Sequence, residues 1–162
     1  MKALPPNEEH VDQDMLKIEV NLDDISGEVL GYVMDLLFAS GANDVYYSPI
    51  YMKKNRPGIL LQILCSLQKL GEMKEILFRE TTTLGIRYYP LTVHRLERKF
   101  REVETEWGIV KVKEGILQGQ IVQSAPEYED CKKIAMHHQV PLKKVYEQVW
   151  RNGEVRKIKG SL

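Results

Sequence analysis

Hydrophobic and polar positions follow two periods in the first half of the chain. Residues 15–22 alternate with a period of two, which predicts a half-buried β-strand. Residues 23–44 change to helical spacing, and the apolar positions expected on one helix face are Val29, Val33, Leu36 and Leu37. Asp24 or Ser26 is placed to cap the start of this helix, and Gly41 lies where a left-handed C-terminal residue belongs.

The same two periods continue to about residue 100. Residues 44–52 and 58–66 predict a strand hairpin, and residues 66–80 predict a second helix with Ser66 as its N-cap and Leu67 on its inner face. Residues 85–100 predict a long fourth strand that is interrupted at Pro90. The resulting order β-α-β-β-α-β is that of the split β-α-β, or ferredoxin-like, unit. We therefore predict an α+β fold with two helices on one face of an antiparallel sheet.

The last third of the chain predicts an extension of short strands and two helices. Residues 100–115 form a predicted hairpin that turns near Trp107–Gly108, and residues 116–123 form a further short strand. Residues 124–139 predict a helix that opens with a capping box between Ser124 and Glu127, and residues 140–153 predict a second helix. The expected organisation is a linker or disordered leader (1–14), a ferredoxin-like domain (15–96) and the extension packed on it (97–162).

Three polar segments meet at one end of such a sheet, because the first strand, the hairpin and the second helix all end there. Residues 21–28 carry carboxylates at a helix start, residues 52–58 carry cations on a hairpin tip, and residues 78–87 add hydroxyls. Carboxylates suit Mg²⁺ or Mn²⁺, whereas cations, hydroxyls and a helix N-terminus suit phosphate oxygens. The pattern favours a metal–triphosphate, with Asp23, Asp24, Glu28 and Glu80 as metal candidates and Lys53, Lys54, Asn55, Arg56, Thr82, Thr83 and Arg87 as phosphate candidates.

Each of these residues also has a structural interpretation. An aspartate before a helix is commonly a cap, and lysines on a hairpin tip are commonly solvated. Glu127 and Asp130 lie three residues apart on a predicted helix, where they suit either a further metal site or the helix dipole. No motif identifies a catalytic residue.

Composition narrows the function classes. Lys+Arg and Asp+Glu each number 23, so bulk attraction to nucleic acid is not expected. Cys65 and Cys131 are far apart and indicate reduced thiols. No apolar run is long enough to cross a bilayer and no signal peptide is evident, so a cytoplasmic protein is expected.

Several stretches together resemble the nickel insertion protein family of nickel-pincer nucleotide biosynthesis, the pathway that makes the cofactor of lactate racemase. They are VNLDDISGEVLGYVMDLL, GANDVYYSPIYMKKNRPGILLQILC, LFRETTTLGIR and PEYEDCKKIA, and the likeness to the C-terminal part of the family covers about residues 18–149. The resemblance implies a CTP-dependent nickel chelatase, or cyclometallase. Such an enzyme inserts Ni²⁺ into pyridinium-3,5-bisthiocarboxylic acid mononucleotide while CTP is hydrolysed.

For this part of the family the resemblance implies binding of CTP with Mn²⁺ or Mg²⁺ and association into a homo-oligomer, a trimer or hexamer. Lys53, Lys54, Arg56 and Arg87 would hold phosphates with help from Thr82 and Thr83, and Asp23 and Asp24 would lie around the metal. The preference for cytosine comes from the resemblance alone. No membrane or nucleic-acid partner is expected.

The sequence departs from the family pattern in two ways. The histidine-rich nickel-binding portion that precedes this part in the family is absent, so an excised domain or one product of a divided gene is expected. Ala125 stands where the family usually has a lysine.

Two other function classes remain open. One is a non-catalytic, oligomeric module that senses a nucleotide or small ligand. The other is RNA binding on the open sheet face, which is disfavoured because residues 59–65 carry no aromatic side chain.

Overall fold

A computed structural model of the chain describes residues 9–153, and these divide into two compact units. The first unit is Val11–Val93, and the second combines residues 94–153 with residues 9 and 10. The predicted leader falls largely on residues 1–8, which lie outside the described residues. The domain boundaries predicted from the sequence stay a prediction.

The elements around the first unit occur in the predicted order. They are β1 (His10–Leu22), α1 (Gly27–Ala39), β2 (Asp44–Met52), β3 (Arg56–Ser66), α2 (Leu70–Glu80) and β4 (Arg87–Arg95). The sheet order is β2-β3-β1-β4, and β3 runs antiparallel to both β1 and β2. This is the strand order of the split β-α-β unit, and the α+β fold class is confirmed.

The core of the first unit lies between one face of this sheet and the two helices. Alternate residues of β1 and β3, with one residue of β2, are buried against apolar residues of α1 and α2. The buried residues of this core are Leu16, Ile18, Val20, Leu22, Leu30, Val33, Leu37, Val45, Leu61, Ile63, Cys65, Met73 and Leu77. The predicted inner faces were wrong at two positions. Val29 is exposed because the stripe of α1 runs through Leu30, Val33 and Leu37, and Leu67 is exposed because it precedes α2 in a 3₁₀ turn.

Two strand limits also differ from the prediction. β1 begins at His10, although its pairing with β3 begins only at Met15. The extension is polar, so the hydrophobic alternation could not reveal it. The predicted strand 85–100 is two strands, β4 and β5, which are separated at Leu96 and not at Pro90. Pro90 lies inside β4, an edge strand, where a missing N–H is tolerated.

The second unit pairs a three-stranded antiparallel sheet with two helices. Its elements are β5 (Glu97–Thr105), β6 (Gly108–Leu117), β7 (Gln120–Pro126), α3 (Tyr128–His138) and α4 (Leu142–Asn152), and the sheet order is β5-β6-β7. The core consists of Val103, Val110, Val112, Cys131, Val145 and Val149. The predicted turn near Trp107–Gly108 is confirmed, with Gly108 at a φ of +135°.

The predicted start of α3 was wrong. Ser124 pairs with Glu114 in the β6–β7 ladder, so its backbone is extended and its side chain caps no helix. α3 instead begins after Glu127, without a side-chain cap. The predicted strand 116–123 also divides, since Gln118–Gly119 form the turn between β6 and β7. No helix within residues 9–153 is long and apolar enough to cross a membrane.

Candidate functional site

The three predicted polar segments meet at one end of the first unit's sheet. Arg56 Nη1 donates a hydrogen bond to Asp23 Oδ2 over 3.2 Å and joins the β2–β3 turn to the loop after β1. The hydroxyl of Thr82 donates to the carboxylate of Asp24 and joins the loop after α2 to the same place. The geometry therefore follows the predicted topology, while the functional role of each residue stays a prediction.

The turn between β2 and β3 displays its cations on an unusual backbone. Lys54 has φ 61° and ψ 21°, and Asn55 has φ 58°, so two successive non-glycine residues are left-handed. This conformation costs about 1–2 kcal/mol for an ordinary L-residue and is best tolerated by glycine and asparagine. Such outliers cluster at ligand sites. Lys53, Lys54, Asn55 and Arg56 are all exposed.

Gly58 allows this hairpin to approach β1 closely. A Cβ atom at this position would lie 2.8 Å from the carbonyl oxygen of Leu22 and 2.9 Å from Met52 Sδ. Both distances are shorter than real Cβ contacts allow. The structural role of Gly58 is to allow the cationic turn to pack against the end of β1, next to Asp23.

The threonine loop after α2 is held mainly by its own hydrogen bonds. Thr81 Oγ1 donates to the Leu77 carbonyl over 2.6 Å, at the end of the helix. Thr83 Oγ1 donates to the Gly85 carbonyl over 2.8 Å and so uses its proton inside the loop. Thr82 is the threonine whose hydroxyl reaches another segment of the site, at Asp24. Of the two predicted threonines, Thr82 is exposed and Thr83 is half-buried, and each donates its hydroxyl proton within the protein.

Arg87 is held in position by residues that the sequence did not single out. Its Nε donates to Glu19 Oε2 over 3.0 Å, its Nη2 donates to Asn21 Oδ1 over 2.6 Å, and the Tyr89 hydroxyl donates to Glu19 Oε1 over 3.0 Å. The hydrogen bonds to Glu19 and Asn21 occupy two of the five N–H donors of Arg87. The Arg87 side chain is half exposed. The sequence pattern could have identified Glu19 and Asn21, because they occupy the polar, outward-facing positions of the alternating strand β1.

Glu19 keeps its negative charge in this row. Burial raises the pKa of Glu19, but hydrogen bonds from Arg87 and Tyr89 and the charge of Lys17 outweigh burial, so the pKa is lowered overall. The pKa of Lys17 is raised, mainly through its hydrogen bond with Tyr46. Lys17, Glu19 and Arg87 thus form a charged row on the sheet face opposite the helices.

The four predicted metal carboxylates do not form a complete cage. Asp23 and Asp24 are adjacent in the loop after β1, Glu28 lies exposed in the first turn of α1, and Glu80 is the last residue of α2. Within residues 9–153, no three His, Cys, Asp or Glu side chains are arranged to hold a metal ion. A divalent cation would therefore use one or two carboxylates and complete its shell with ligand oxygens and water. Mg²⁺ commonly binds with phosphates in this way, so the donor set fits a metal–nucleotide.

Glu127 and Asp130, the predicted further site, belong to the second unit and have structural partners. Glu127 Oε1 lies 3.0 Å from Lys113 Nζ, and Asp130 Oδ2 accepts the backbone N–H of Lys111 over 3.1 Å. Both contacts tie the start of α3 to β6. Their proposed metal role stays a prediction.

Comparison with known proteins identifies a family with the same sequence features. The family model described as nickel insertion protein matches residues 2–146. The chain is 42% identical over 151 residues to the pyridinium-3,5-bisthiocarboxylic acid mononucleotide nickel insertion protein of Thermotoga petrophila, which covers 93% of this chain and 37% of that protein. It is 46% identical over 141 residues to the protein of the same name from Acetivibrio thermocellus, covering 87% and 34%. The chain thus spans about a third of the length of these curated relatives.

A solved structure has the same fold at similar length. It is described as LarC2, the C-terminal domain of a cyclometallase involved in the synthesis of the NPN cofactor of lactate racemase, in its apo form. The two chains are 36% identical and superpose with a TM-score of 0.83, over 90% of this chain and 99% of the other.

Proposed function

Because the chain belongs to the nickel insertion protein family, we propose that it is the nucleotide- and metal-binding part of a nickel-inserting enzyme. The enzyme's substrates would be Ni²⁺ and pyridinium-3,5-bisthiocarboxylic acid mononucleotide, the molecule named for the relatives. The observation that carries the proposal is the meeting of Asp23, Arg56 and the Asp24–Thr82 contact at one end of the sheet. A metal–triphosphate needs cations and carboxylates side by side, and this end provides both.

The proposed nucleotide is CTP, bound together with Mg²⁺ or Mn²⁺. Lys53, Lys54 and Arg56 would contact phosphate oxygens, and Asp23 and Asp24 would contact the cation. Without a cation these carboxylates would repel the triphosphate, so nucleotide binding should depend on the metal. When bound, CTP supplies the free energy of phosphoanhydride hydrolysis to a nickel-inserting lyase. The residues described here hold and orient it.

The proposal includes partners for this chain. We propose that the nickel-binding groups lie in an N-terminal portion, and this is supported by the solved neighbour, which is described as the C-terminal domain of a cyclometallase. We propose a homo-oligomer, and the trimer or hexamer is what the resemblance implies; association itself is supported by large, exposed apolar side chains near the site. Tyr51 is 80% exposed and Leu84 is 101% exposed, and a second subunit would cover such surface. We place the protein in the cytoplasm.

Titration calorimetry tests the proposal directly. The chain is titrated with CTP, ATP, GTP and UTP, each with and without Mn²⁺. We expect metal-dependent binding of CTP in preference to the others, and a loss of at least about tenfold in affinity in a Lys54→Ala, Arg56→Ala variant. A Lys143→Ala, Arg151→Ala variant removes the same charge from the exposed face of α4 and should bind as the unsubstituted chain does. Equal losses in both variants, or no binding of any triphosphate, would overturn the assignment of the site.

The alternative is a non-catalytic, oligomeric nucleotide-sensing module. The exposed Tyr51 and Leu84 near the site favour it, because an oligomer can bind a small ligand where its subunits meet. Both functions predict CTP binding, but they differ in turnover. Adding the remaining portion of a family protein, the mononucleotide and Ni²⁺ should start CTP hydrolysis in the enzyme and should leave CTP intact in the sensor.

A further inference from the structure

The second unit carries a cleft of about 280 Å³ on its three-stranded sheet. Its lining residues are Arg95, Leu96, Arg98, Lys113, Gly115, Gln123, Ser124 and Ala125. Val110 and Val112 of β6 face the core under α3 and α4, so Lys113 and Gly115, in alternate phase, face away from the helices. The cleft therefore opens on the face of the sheet that α3 and α4 leave uncovered.

Gly115 is the lining residue at which two other lining residues approach the backbone of β6. In the ladder it is opposite Arg98 of β5 on one side and Gln123 of β7 on the other. A Cβ at Gly115 would lie 3.1 Å from Leu96 Cδ1 and 3.5 Å from Gln123 Cβ. The register of β6 and β7 shifts immediately after it, between Gly115 and Ile116. A glycine beside a bulge thus lets Leu96 and Gln123, which also line the cleft, pack closely over the backbone of β6.

The charge of the lining has one sign. Within the described part of the chain, the charged residues around the cleft are Arg95, Arg98 and Lys113, all cationic, and Gln123 and Ser124 add neutral donors. Each cation also has contacts elsewhere, including Lys113 Nζ to Glu127 Oε1 at 3.0 Å. Guanidinium and ammonium groups retain further N–H donors when one is occupied.

We propose that this cleft binds the phosphate group of a small phosphomonoester. Two guanidiniums and an ammonium around one cleft suit a dianionic, tetrahedral group, which accepts hydrogen bonds from several directions. The cleft's volume of about 280 Å³ lies just below the range of sites for drug-sized molecules, about 300–1,000 Å³, and so suits a small ligand. Among the residues that line it there is no aromatic ring for a base to stack on, so recognition centres on the phosphate. The proposal does not rest on the proposed function, because every lining residue belongs to the second unit.

Amide chemical-shift titration of the full chain tests the proposal, with ribose 5-phosphate as the probe and ribose as the uncharged control. We expect saturable shifts at Gly115, Gln123 and Ser124 with ribose 5-phosphate and none with ribose. An Arg98→Gln variant should weaken binding at least about tenfold. A Lys99→Gln variant removes the same charge from the next residue, on the other face of β5, and should bind as the unsubstituted chain does.

A second variant tests the cleft itself. Gly115→Val would displace the side chain of Leu96, whose Cδ1 lies 3.1 Å from a Cβ at this position, and so reshape the cleft that both residues line; it should abolish the saturable shifts. Unchanged amide shifts at α3 and α4 residues would establish that the Gly115→Val variant is folded. If this variant does not fold, the comparison of Arg98→Gln with Lys99→Gln tests the proposal by itself. Equal binding by those two variants, equal shifts with ribose, or no saturable shift at all would overturn the proposal.

Discussion

The guanidinium of Arg56 lies 3.2 Å from the carboxylate of Asp23, and this contact joins the β2–β3 turn to the loop after β1. The Arg56 side chain is 59% exposed and that of Asp23 is 26% exposed, so water surrounds much of the pair. Exposed ion pairs contribute about 0–1 kcal/mol to folding. The main effect of this ion pair is therefore to fix the positions of the Arg56 guanidinium and the Asp23 carboxylate, and its contribution to the free energy of unfolding is small. A metal–phosphate ligand could replace it with a phosphate contact to Arg56 and a cation contact to Asp23.

Asp23→Asn and Arg56→Ala should affect nucleotide binding differently. Arg56→Ala removes a phosphate donor, so CTP affinity should fall with or without Mn²⁺. Asp23→Asn removes both a metal ligand and a repulsive charge, so affinity should fall with Mn²⁺ and rise without it. Each variant should lower the free energy of unfolding by less than about 1 kcal/mol. Calorimetry and urea unfolding measure the two effects, and an Asp23→Asn variant with unchanged metal dependence would exclude Asp23 as a metal ligand.

Gly58→Ala should destabilise the first unit by roughly 1–3 kcal/mol, because the added methyl group would overlap the Leu22 carbonyl and Met52 Sδ. Gly31→Ala is the matched control. Gly31 lies in the middle of α1, and a Cβ added there would have no neighbour within 4 Å, so this change should stabilise by about 0.5–1 kcal/mol. Urea unfolding of both variants gives the comparison. A Gly58→Ala variant as stable as the Gly31→Ala variant would mean that the hairpin is not held close to β1.

The position of the site could be predicted from the sequence, but many of its side-chain partners could not. Element order alone places the end of β1, the hairpin and the loop after α2 at one end of the sheet. The role of Glu19 depends on the alignment of β4 beside β1, which brings Arg87 and Tyr89 to its carboxylate. Hydrophobic periodicity contains no information about that alignment.

Local motifs failed where long-range pairing competed with them. Ser124 and Glu127 have the spacing of a capping box, yet Ser124 is in the ladder with β6 and Glu127 bonds to Lys113. The family resemblance was confirmed because it rested on several separate stretches. No single short motif gave comparable support.

Glu19→Gln should reduce the loss of stability in acid. The folded-state pKa of Glu19 lies below its ordinary value of 4.5. The ionised Glu19 therefore contributes to the free energy of unfolding above pH 4.5, and this contribution is lost as the pH falls through the folded-state pKa. Glu19→Gln should therefore be less stable than the unsubstituted chain at neutral pH and approach it below about pH 4. Urea unfolding at a series of pH values measures this. Asp35→Asn, on the exposed face of α1, controls for the charge change, and parallel pH profiles for Glu19→Gln and the unsubstituted chain would contradict the prediction.

Lys54→Gly should separate stability from ligand binding. Lys54 has a φ of 61°, so glycine relieves strain and should raise the free energy of unfolding by roughly 0.5–1 kcal/mol after its larger unfolded-state entropy is subtracted. Lys53 has no positive φ, so Lys53→Gly removes the same charge but relieves no backbone strain. It should lower the free energy of unfolding slightly. Both variants should weaken CTP binding if the two lysines contact phosphates. Urea unfolding measures the stability of the two variants, and calorimetry measures their affinity for CTP. A Lys54→Gly variant that is more stable and binds CTP with full affinity would show that the left-handed Lys54 contributes neither to stability nor to nucleotide binding.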